Sequence, residues 1–135
     1  MAREFVVERE LAVPVERAWD AMVELIGDAL TRVGGEHTFS LDDWHLLERT
    51  TEIDAPTRRV YRIVEGAPAR SYVGRTEFVP AEDGCVLRWT VVAEPHTGAG
   101  AGTGDPFDAF FARAEVAITR GVDHIVGLTA PGARP

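Results

Sequence analysis

The sequence predicts an α+β domain in which a long C-terminal helix lies along an antiparallel sheet. Three alternating strand patterns follow one another at residues 58–66, 70–80 and 84–95, and the turns between them are too short for crossover connections. A glycine-rich spacer then leads into an apolar helical stripe that runs from Asp105 to about Leu128. A helix laid along such a sheet encloses an apolar space, which is suited to holding a ligand.

The composition is typical of one globular domain. With 135 residues, 45% hydrophobic and 27% charged, the chain suffices for a single core, so residues 1–130 are expected to form one domain with a disordered tail at residues 131–135. A formal net charge of −8 argues against binding to nucleic acid or to an anionic membrane surface. The single cysteine, Cys85, cannot form an internal disulfide, so the sequence does not indicate an oxidising compartment. No apolar run approaches the length of a membrane span, and we expect a cytoplasmic location without membrane insertion.

The first third of the chain begins with a strand and continues into a helix. Apolar residues alternate with charged ones from Phe5 to Leu11, as in a half-buried strand. Pro14 ends that strand and begins an amphipathic helix, because its missing N–H is harmless in a first helical turn. The apolar stripe continues to Val33, but Gly27 interrupts it, and we predict a bend there that divides the stretch into two short helices.

Two further strands are predicted before residue 58. The first is short, contains His37 and Phe39 on one face, and turns at Asp42. The second covers residues 44–53 and has no clear inner face, and we predict that the parity of Ile53 points inward. The other members of that parity are Leu47, Arg49 and Thr51.

Two features of the inward faces predict space between the closing helix and the sheet. Phenylalanines are concentrated near the start of the helix, whereas Ala114, Ala117 and Gly121 present almost no volume farther along. On the sheet, Gly74 leaves a gap in an inward-facing row. The alternative is close contact, in which the small residues let the helix touch the sheet. An unfilled space costs about 24 cal/mol per Å³, so a large one is expected to be used for binding.

The predicted ligand-binding positions are inward-facing residues of the strands and of the closing helix. They are Phe39, Tyr61, Ile63, Tyr72, Gly74, Thr76, Phe78, Leu87, Trp89, Val91, Phe107, Phe110, Phe111, Ala114 and Ile118. An enzyme acting in the same space needs a proton donor or acceptor and a group that stabilises developing negative charge. The inward-facing polar candidates are His37, Arg49, Arg59, Tyr61 and Tyr72.

A structural explanation of these polar residues competes with a catalytic one. The tyrosines would then pack in the core, both arginines would reach solvent at strand ends, and His37 would be exposed. Because the sequence contains neither a triad spacing nor a nucleophile elbow, it assigns no catalytic residue.

The sequence predicts neither a metal site nor a cofactor. Its four histidines are scattered, without the pairing that metal-ligand motifs show. The run of glycines at residues 98–104 follows a strand and opens a helix, as a phosphate loop does. However, no strand follows that helix, and Asp105 at its start would repel an anion. We interpret the run as a flexible loop, and we hypothesise that it gates ligand entry.

Three segments resemble the signatures of the START-like (SRPBCC) superfamily: AVPVERAW at residues 12–19, RRVYRIVEG at residues 58–66 and DGCVLRW at residues 83–89. More narrowly, they are similar to bacterial polyketide cyclase/dehydrase-like members, relatives of the birch pollen allergen. The resemblance implies a helix-grip fold, in which a curved seven-stranded antiparallel sheet surrounds the C-terminal helix and two short helices close one end. It also implies an internal cavity for lipids, sterols or polyketides. This chain is shorter than the family between its first helices and the strand at Trp44.

Three functions are compatible with the resemblance and with the predicted space. The first is a carrier or sensor of a hydrophobic small molecule, which would be the binding partner. The second is a polyketide cyclase or dehydratase acting in the same cavity. The third is a protein-interaction role, such as stimulating a chaperone ATPase, or binding of coenzyme Q. An interaction module is expected to have a filled interior and an exposed apolar patch.

Overall fold

The structure, a computed structural model, describes residues 2–96 and 105–131 and shows an antiparallel sheet with a long helix against it. The strands are β1 (Arg3–Leu11), β2 (Glu36–Leu41), β3 (Trp44–Asp54), β4 (Arg58–Glu65), β5 (Ser71–Ala81) and β6 (Gly84–Glu94). The helices are α1 (Val15–Ile26), a 3₁₀ helix (Asp28–Thr31) and α2 (Asp105–Thr129).

The sheet has the strand order β1–β6–β5–β4–β3–β2, and all neighbours are antiparallel. This arrangement confirms the predicted α+β class and the helix-grip fold. The number of strands differs, because the described residues form six strands rather than the seven that the resemblance implied. Only residues 32–35 separate the 3₁₀ helix from β2, which is too short a segment for another strand.

Gly27 divides the first helical stretch, as predicted. It follows the last residue of α1 and precedes the 3₁₀ helix, and its φ is 87°. Glycine reaches this conformation without a steric penalty because it has no Cβ. The change of direction brings the 3₁₀ helix against β2 and β3, while α1 packs against α2.

Aromatic side chains fill one half of the space between the helices and the sheet. Phe5 of β1 meets Phe111 of α2 edge to face, with ring centroids 5.2 Å apart. Phe107 stacks on Phe111 at 5.7 Å, and Trp19 of α1 meets Phe78 of β5 at 6.2 Å. These contacts attach α2 to β1 and α1 to β5, and we call this region the aromatic half.

The inner face of β3 is not the one that was predicted. Leu46 and Thr50 are buried, with exposures of 3% and 0%. Arg49, which was predicted to point inward, is exposed and pairs with Glu36. Leu47 likewise lies outside the hydrophobic core.

A β-bulge accounts for this difference. The register of β3 against β4 shifts between Thr50 and Glu52, which leaves Thr51 as the extra residue. One extra residue reverses the alternation of side chains. Ile53 therefore packs against the core as predicted, although the positions before the bulge have the opposite orientation.

The predicted closing helix agrees with the structure to within one residue, since α2 begins at Asp105 and ends at Thr129. The proposed glycine-rich gate at residues 98–104 lies outside the described residues. The predicted tail is described only at Pro131. No helix in the described part of the chain combines the length and the apolar character needed to cross a membrane.

Candidate functional site

A cavity of about 340 Å³ lies between α2 and the part of the sheet formed mainly by β2, β3 and β4. This volume is within the range of roughly 300–1,000 Å³ that is typical of small-molecule sites. Most of the surrounding side chains are apolar. The lining residues are Leu25, Ile26, Leu30, His37, Phe39, Leu41, Leu46, Glu48, Arg59, Tyr61, Ile63, Tyr72, Trp89, Phe110, Ala114, Ala117, Ile118 and Gly121.

The small residues of α2 keep this space open. Ala114, Ala117 and Gly121 border the cavity and present a methyl group or less. A Cβ added at Gly121 would meet Leu25 Cδ2 at 3.5 Å, an ordinary van der Waals distance, and nothing nearer among the described residues. The stripe therefore faces a cavity, and close contact with the sheet does not explain it.

The gap predicted at Gly74 is occupied by the ring of Tyr61. Gly74 is paired with Tyr61 across β4 and β5, and a Cβ at Gly74 would lie 2.0 Å from Tyr61 Cζ. The ring of Tyr61 thus lies over the glycine and occupies the space that a side chain would need. Gly74 permits this position of Tyr61 and does not itself border the cavity.

Eight of the fifteen positions predicted to bind a ligand border the cavity. They are Phe39, Tyr61, Ile63, Tyr72, Trp89, Phe110, Ala114 and Ile118. The other seven are elsewhere in the interior, and they are Gly74, Thr76, Phe78, Leu87, Val91, Phe107 and Phe111. Alternation identifies the inner face of a strand, but it does not show which part of that face is already covered by the aromatic half.

Two groups of cavity-lining residues were not predicted from the sequence, one on the N-terminal helices and one on β3. Leu25, Ile26 and Leu30 come from α1 and the 3₁₀ helix, which Gly27 turns toward the sheet. Glu48 was missed because the parity of β3 was assigned to the wrong face. The opposite parity of the same strand, which includes Leu46 and Thr50, was the available signal.

The cavity wall contains a fully buried arginine. Arg59 is 0% exposed, and its Nε donates to the Leu30 carbonyl oxygen at 3.0 Å and to Thr50 Oγ1 at 3.1 Å. Its Nη2 donates to Glu48 Oε2. Its Cζ lies 4.5 Å from the centroid of the Tyr61 ring. Among the described residues, Nη1 has no hydrogen-bond partner.

The two arginines predicted to point inward thus have opposite environments. Arg49 reaches solvent, as the structural explanation held, whereas Arg59 does not. A buried guanidinium is tolerated only when charge and hydrogen bonds compensate for its lost hydration. The Glu48 carboxylate, itself only 13% exposed, supplies the compensating charge.

Two tyrosines border the cavity beside this ion pair. Trp89 Nε1 donates to the Tyr61 hydroxyl oxygen at 3.0 Å. Burial is the main cause that raises the pKa of the Tyr61 hydroxyl above its ordinary value, and the Glu48 carboxylate adds to the shift. Burial also raises the pKa of Tyr72 well above the ordinary value. Both phenols therefore stay protonated at neutral pH, where they serve as hydrogen-bond donors rather than as bases.

His37 is exposed, as the structural explanation held. It is paired with Glu48 across β2 and β3, its ring lies nearly parallel to that of Phe39 at 6.4 Å, and it borders the cavity. In the described part of the chain, no three side chains of the metal-binding types are grouped closely enough to hold a metal ion. The lining as a whole is apolar, with the polar side chains described above on one side of the cavity.

A helix-grip sheet with a long terminal helix over an apolar cavity defines the START-like (SRPBCC) class of proteins, in agreement with the resemblance found in the sequence. The family described as "Polyketide cyclase / dehydrase and lipid transport" matches residues 22–126, which is more than half of the chain. The chain belongs to this family.

Solved structures share the fold at low sequence identity. Norcoclaurine synthase from Thalictrum flavum, in complex with dopamine and hydroxybenzaldehyde, has a TM-score of 0.70 at 13% identity, covering 100% of this chain and 90% of that one. Ara h 8.0201 has a TM-score of 0.70 at 15% identity, covering 96% and 98%. The di-domain ARO/CYC BexL from the BE-7585A biosynthetic pathway has a TM-score of 0.66 at 16% identity, covering 99% of this chain but 51% of that one.

These identities are low enough that the likeness shows the fold alone. No curated protein sequence has a significant match to this chain.

Proposed function

We propose that this protein binds a hydrophobic small molecule in the cavity beneath α2, as a carrier or sensor. The observation that carries the proposal is a cavity of about 340 Å³ that the helix borders with Ala114, Ala117 and Gly121. Unfilled space beside a core reduces stability, so a space of this size supports the presence of an occupant.

The comparisons support the same class of ligand. The family description includes lipid transport, and one solved structure with this fold holds two small aromatic compounds. The lining of this chain agrees with such ligands, because it combines aliphatic side chains with the rings of Phe39, Phe110 and Trp89.

Filling the cavity from α2 tests the proposal. Gly121→Leu places a side chain in the space beside Leu25, and Gly127→Leu is the matched control because a Cβ there meets nothing within 4 Å. The neutral fluorescent probe N-phenyl-1-naphthylamine is expected to bind the wild type and Gly127→Leu, and to bind Gly121→Leu about tenfold more weakly or worse. Native mass spectrometry of the purified wild type is expected to show a bound small molecule.

The proposal is overturned if the probe binds all three proteins equally, or if it binds none of them and the purified protein carries no small molecule. Circular dichroism of each variant separates lost binding from lost folding.

A polyketide cyclase or dehydratase is the second candidate, and the Arg59–Glu48 pair beside Tyr72 favours it. Closing a ring between a carbon acid and a carbonyl requires a proton acceptor and a donor to the carbonyl oxygen. Glu48 supplies a carboxylate at the cavity, while Arg59 and Tyr72 supply N–H and O–H donors. A solved neighbour named as an ARO/CYC protein agrees with this chemistry.

Substitution of the carboxylate distinguishes a catalyst from a carrier. Glu48→Gln is expected to abolish turnover of a polyketide substrate without abolishing its binding if the site is catalytic. Unchanged turnover in Glu48→Gln contradicts this role for Glu48. The protein-interaction alternative predicted a filled interior, and the cavity does not match that expectation.

A further inference from the structure

Five of the six polar side chains that line the cavity lie on one wall, and the sixth is His37 on β2. Glu48, Arg59, Tyr61, Tyr72 and Trp89 come from four neighbouring strands of the sheet, β3 to β6. We call these five residues the polar wall. Opposite them, α2 contributes apolar residues. A ligand in this cavity is therefore expected to place its own polar atom at the polar wall.

One donor atom on the polar wall, Arg59 Nη1, has no hydrogen-bond partner among the described residues. The Nε and Nη2 atoms of Arg59 donate to Leu30, Thr50 and Glu48, but Nη1 has no acceptor among the described residues. Buried polar groups without partners are rare in native proteins, and a buried guanidinium N–H is especially costly to leave unpaired. Arg59 borders the cavity, so the cavity is the place from which an acceptor for Nη1 would come.

The charge of the wall restricts what that acceptor can be. Glu48 already neutralises Arg59 through a direct ion pair. A ligand carboxylate would place a second anion beside Glu48, and a ligand ammonium would face the guanidinium. A neutral oxygen satisfies Nη1 without adding an unbalanced charge to a poorly hydrated site.

Resting on the function proposed above, we infer that the ligand is an apolar molecule with a neutral carbonyl-type oxygen, and that Arg59 Nη1 donates to this oxygen. Arg59 therefore selects neutral oxygenated ligands over hydrocarbons and over carboxylates. The aromatic and aliphatic lining supplies affinity, and the polar wall supplies the choice of functional group.

Three naphthalenes with the same attachment point test the inference. Acetylnaphthalene carries the ketone, isopropenylnaphthalene replaces its oxygen by a CH₂ group of similar shape, and naphthoate carries a carboxylate. In equilibrium dialysis against the wild type, the ketone is expected to bind about tenfold more tightly than the hydrocarbon, as a hydrogen bond to a charged donor predicts. The carboxylate is expected to bind more weakly than the ketone.

A double variant, Arg59→Met with Glu48→Leu, tests the origin of the preference without leaving a lone buried charge. It is expected to bind the ketone and the hydrocarbon equally, while the exposed control Arg49→Met keeps the wild-type preference. Arg59→Lys serves as a further variant if the double variant does not fold, and it is expected to reduce the preference.

The wild-type measurements decide the question even without the variants. Equal binding of ketone and hydrocarbon, or tightest binding of naphthoate, overturns the inference and leaves the proposed function standing. A ketone preference that survives in the double variant also overturns it. If none of the three compounds binds, the proposed function fails together with the inference.

Discussion

The two halves of the interior are built from the same helix, yet one is packed and the other is hollow. In the aromatic half, Phe107 and Phe111 of α2 pack on each other and against Phe5 of β1. In the other half, Ala114 and Gly121 border the cavity. The volume of the helix side chains, rather than the position of the helix on the sheet, determines where the space lies.

Phe110 forms the boundary between these halves. Its ring meets Trp44 of β3 at 5.3 Å and Tyr72 of β5 at 5.8 Å, and it also lines the cavity. The packed half thus holds α2 in place while the hollow half stays free for an occupant. On the proposed function, stability and binding depend on different positions of one amphipathic stripe, and substitutions are expected to separate them.

The largest effect is expected from the buried ion pair of the hollow half. Arg59→Met leaves Glu48 without its partner, and breaking a buried pair costs about 3–5 kcal/mol of stability. Arg49→Met is the matched control, because Arg49 and Glu36 form an exposed pair and such pairs contribute roughly 0–1 kcal/mol. Urea unfolding of both variants measures the difference. Equal losses would show that the burial of Arg59 has no energetic consequence.

Alanine at two glycines provides a smaller but sharper contrast. Gly74→Ala forces the Tyr61 ring to move, because the new Cβ would lie 2.0 Å from it, and such overpacking costs about 1–3 kcal/mol. Gly121→Ala is expected to be neutral or to stabilise by up to about 1 kcal/mol, since the cavity accepts the methyl group and alanine favours helix. Thermal unfolding measures both, and destabilisation by Gly121→Ala would contradict the open space.

Alkaline pH is expected to lower the free energy of unfolding gradually. The pKa values of Tyr61 and Tyr72 are raised above the ordinary value of 10.0, so the folded state retains protons that the unfolded state releases. Stability is therefore fully present below pH 10.0 and falls as the pH rises above it, by about 1.4 kcal/mol per pH unit for each tyrosine.

Tyrosinate absorbance checks this expectation directly, because the chain contains two tyrosines. The signal is expected to appear only as the protein unfolds, whereas in denaturant it should follow the ordinary tyrosine pKa. Ionisation of either tyrosine in the folded protein near its ordinary value would contradict the burial of the polar wall.

Local patterns in the sequence were sufficient for much of the fold. The stripe of α2, the break at Gly27 and the bounds of β4 to β6 depend on residues close in the chain, and all of them were predicted. The small residues Ala114 and Gly121 also indicated the cavity. The seventh strand, which came from the family and not from the patterns of this chain, is absent from the part of the chain that the structure describes.

Features that depend on distant pairing were not predictable in the same way. The bulge at Thr51 is a property of the register between β3 and β4, so the alternation of β3 alone could not reveal it. The inward orientation of Glu48 follows from that bulge, whereas that of Arg59 was already indicated by the alternation of β4. Similarly, only the pairing of Gly74 with Tyr61 shows that a ring fills the gap at the glycine.

The position of β1 in the sheet has a consequence for folding during synthesis. Its neighbour is β6, with Leu11 opposite Cys85, so β1, which is made before the other strands of this sheet, has no partner in it until β6 is made. Strands β3 to β6 each pair with the strand that precedes them in the chain and can do so early, whereas joining β1 requires closure of a long loop, which slows folding. Exposed charges at Glu4, Glu8 and Glu10 discourage the waiting strand from pairing with other nascent chains.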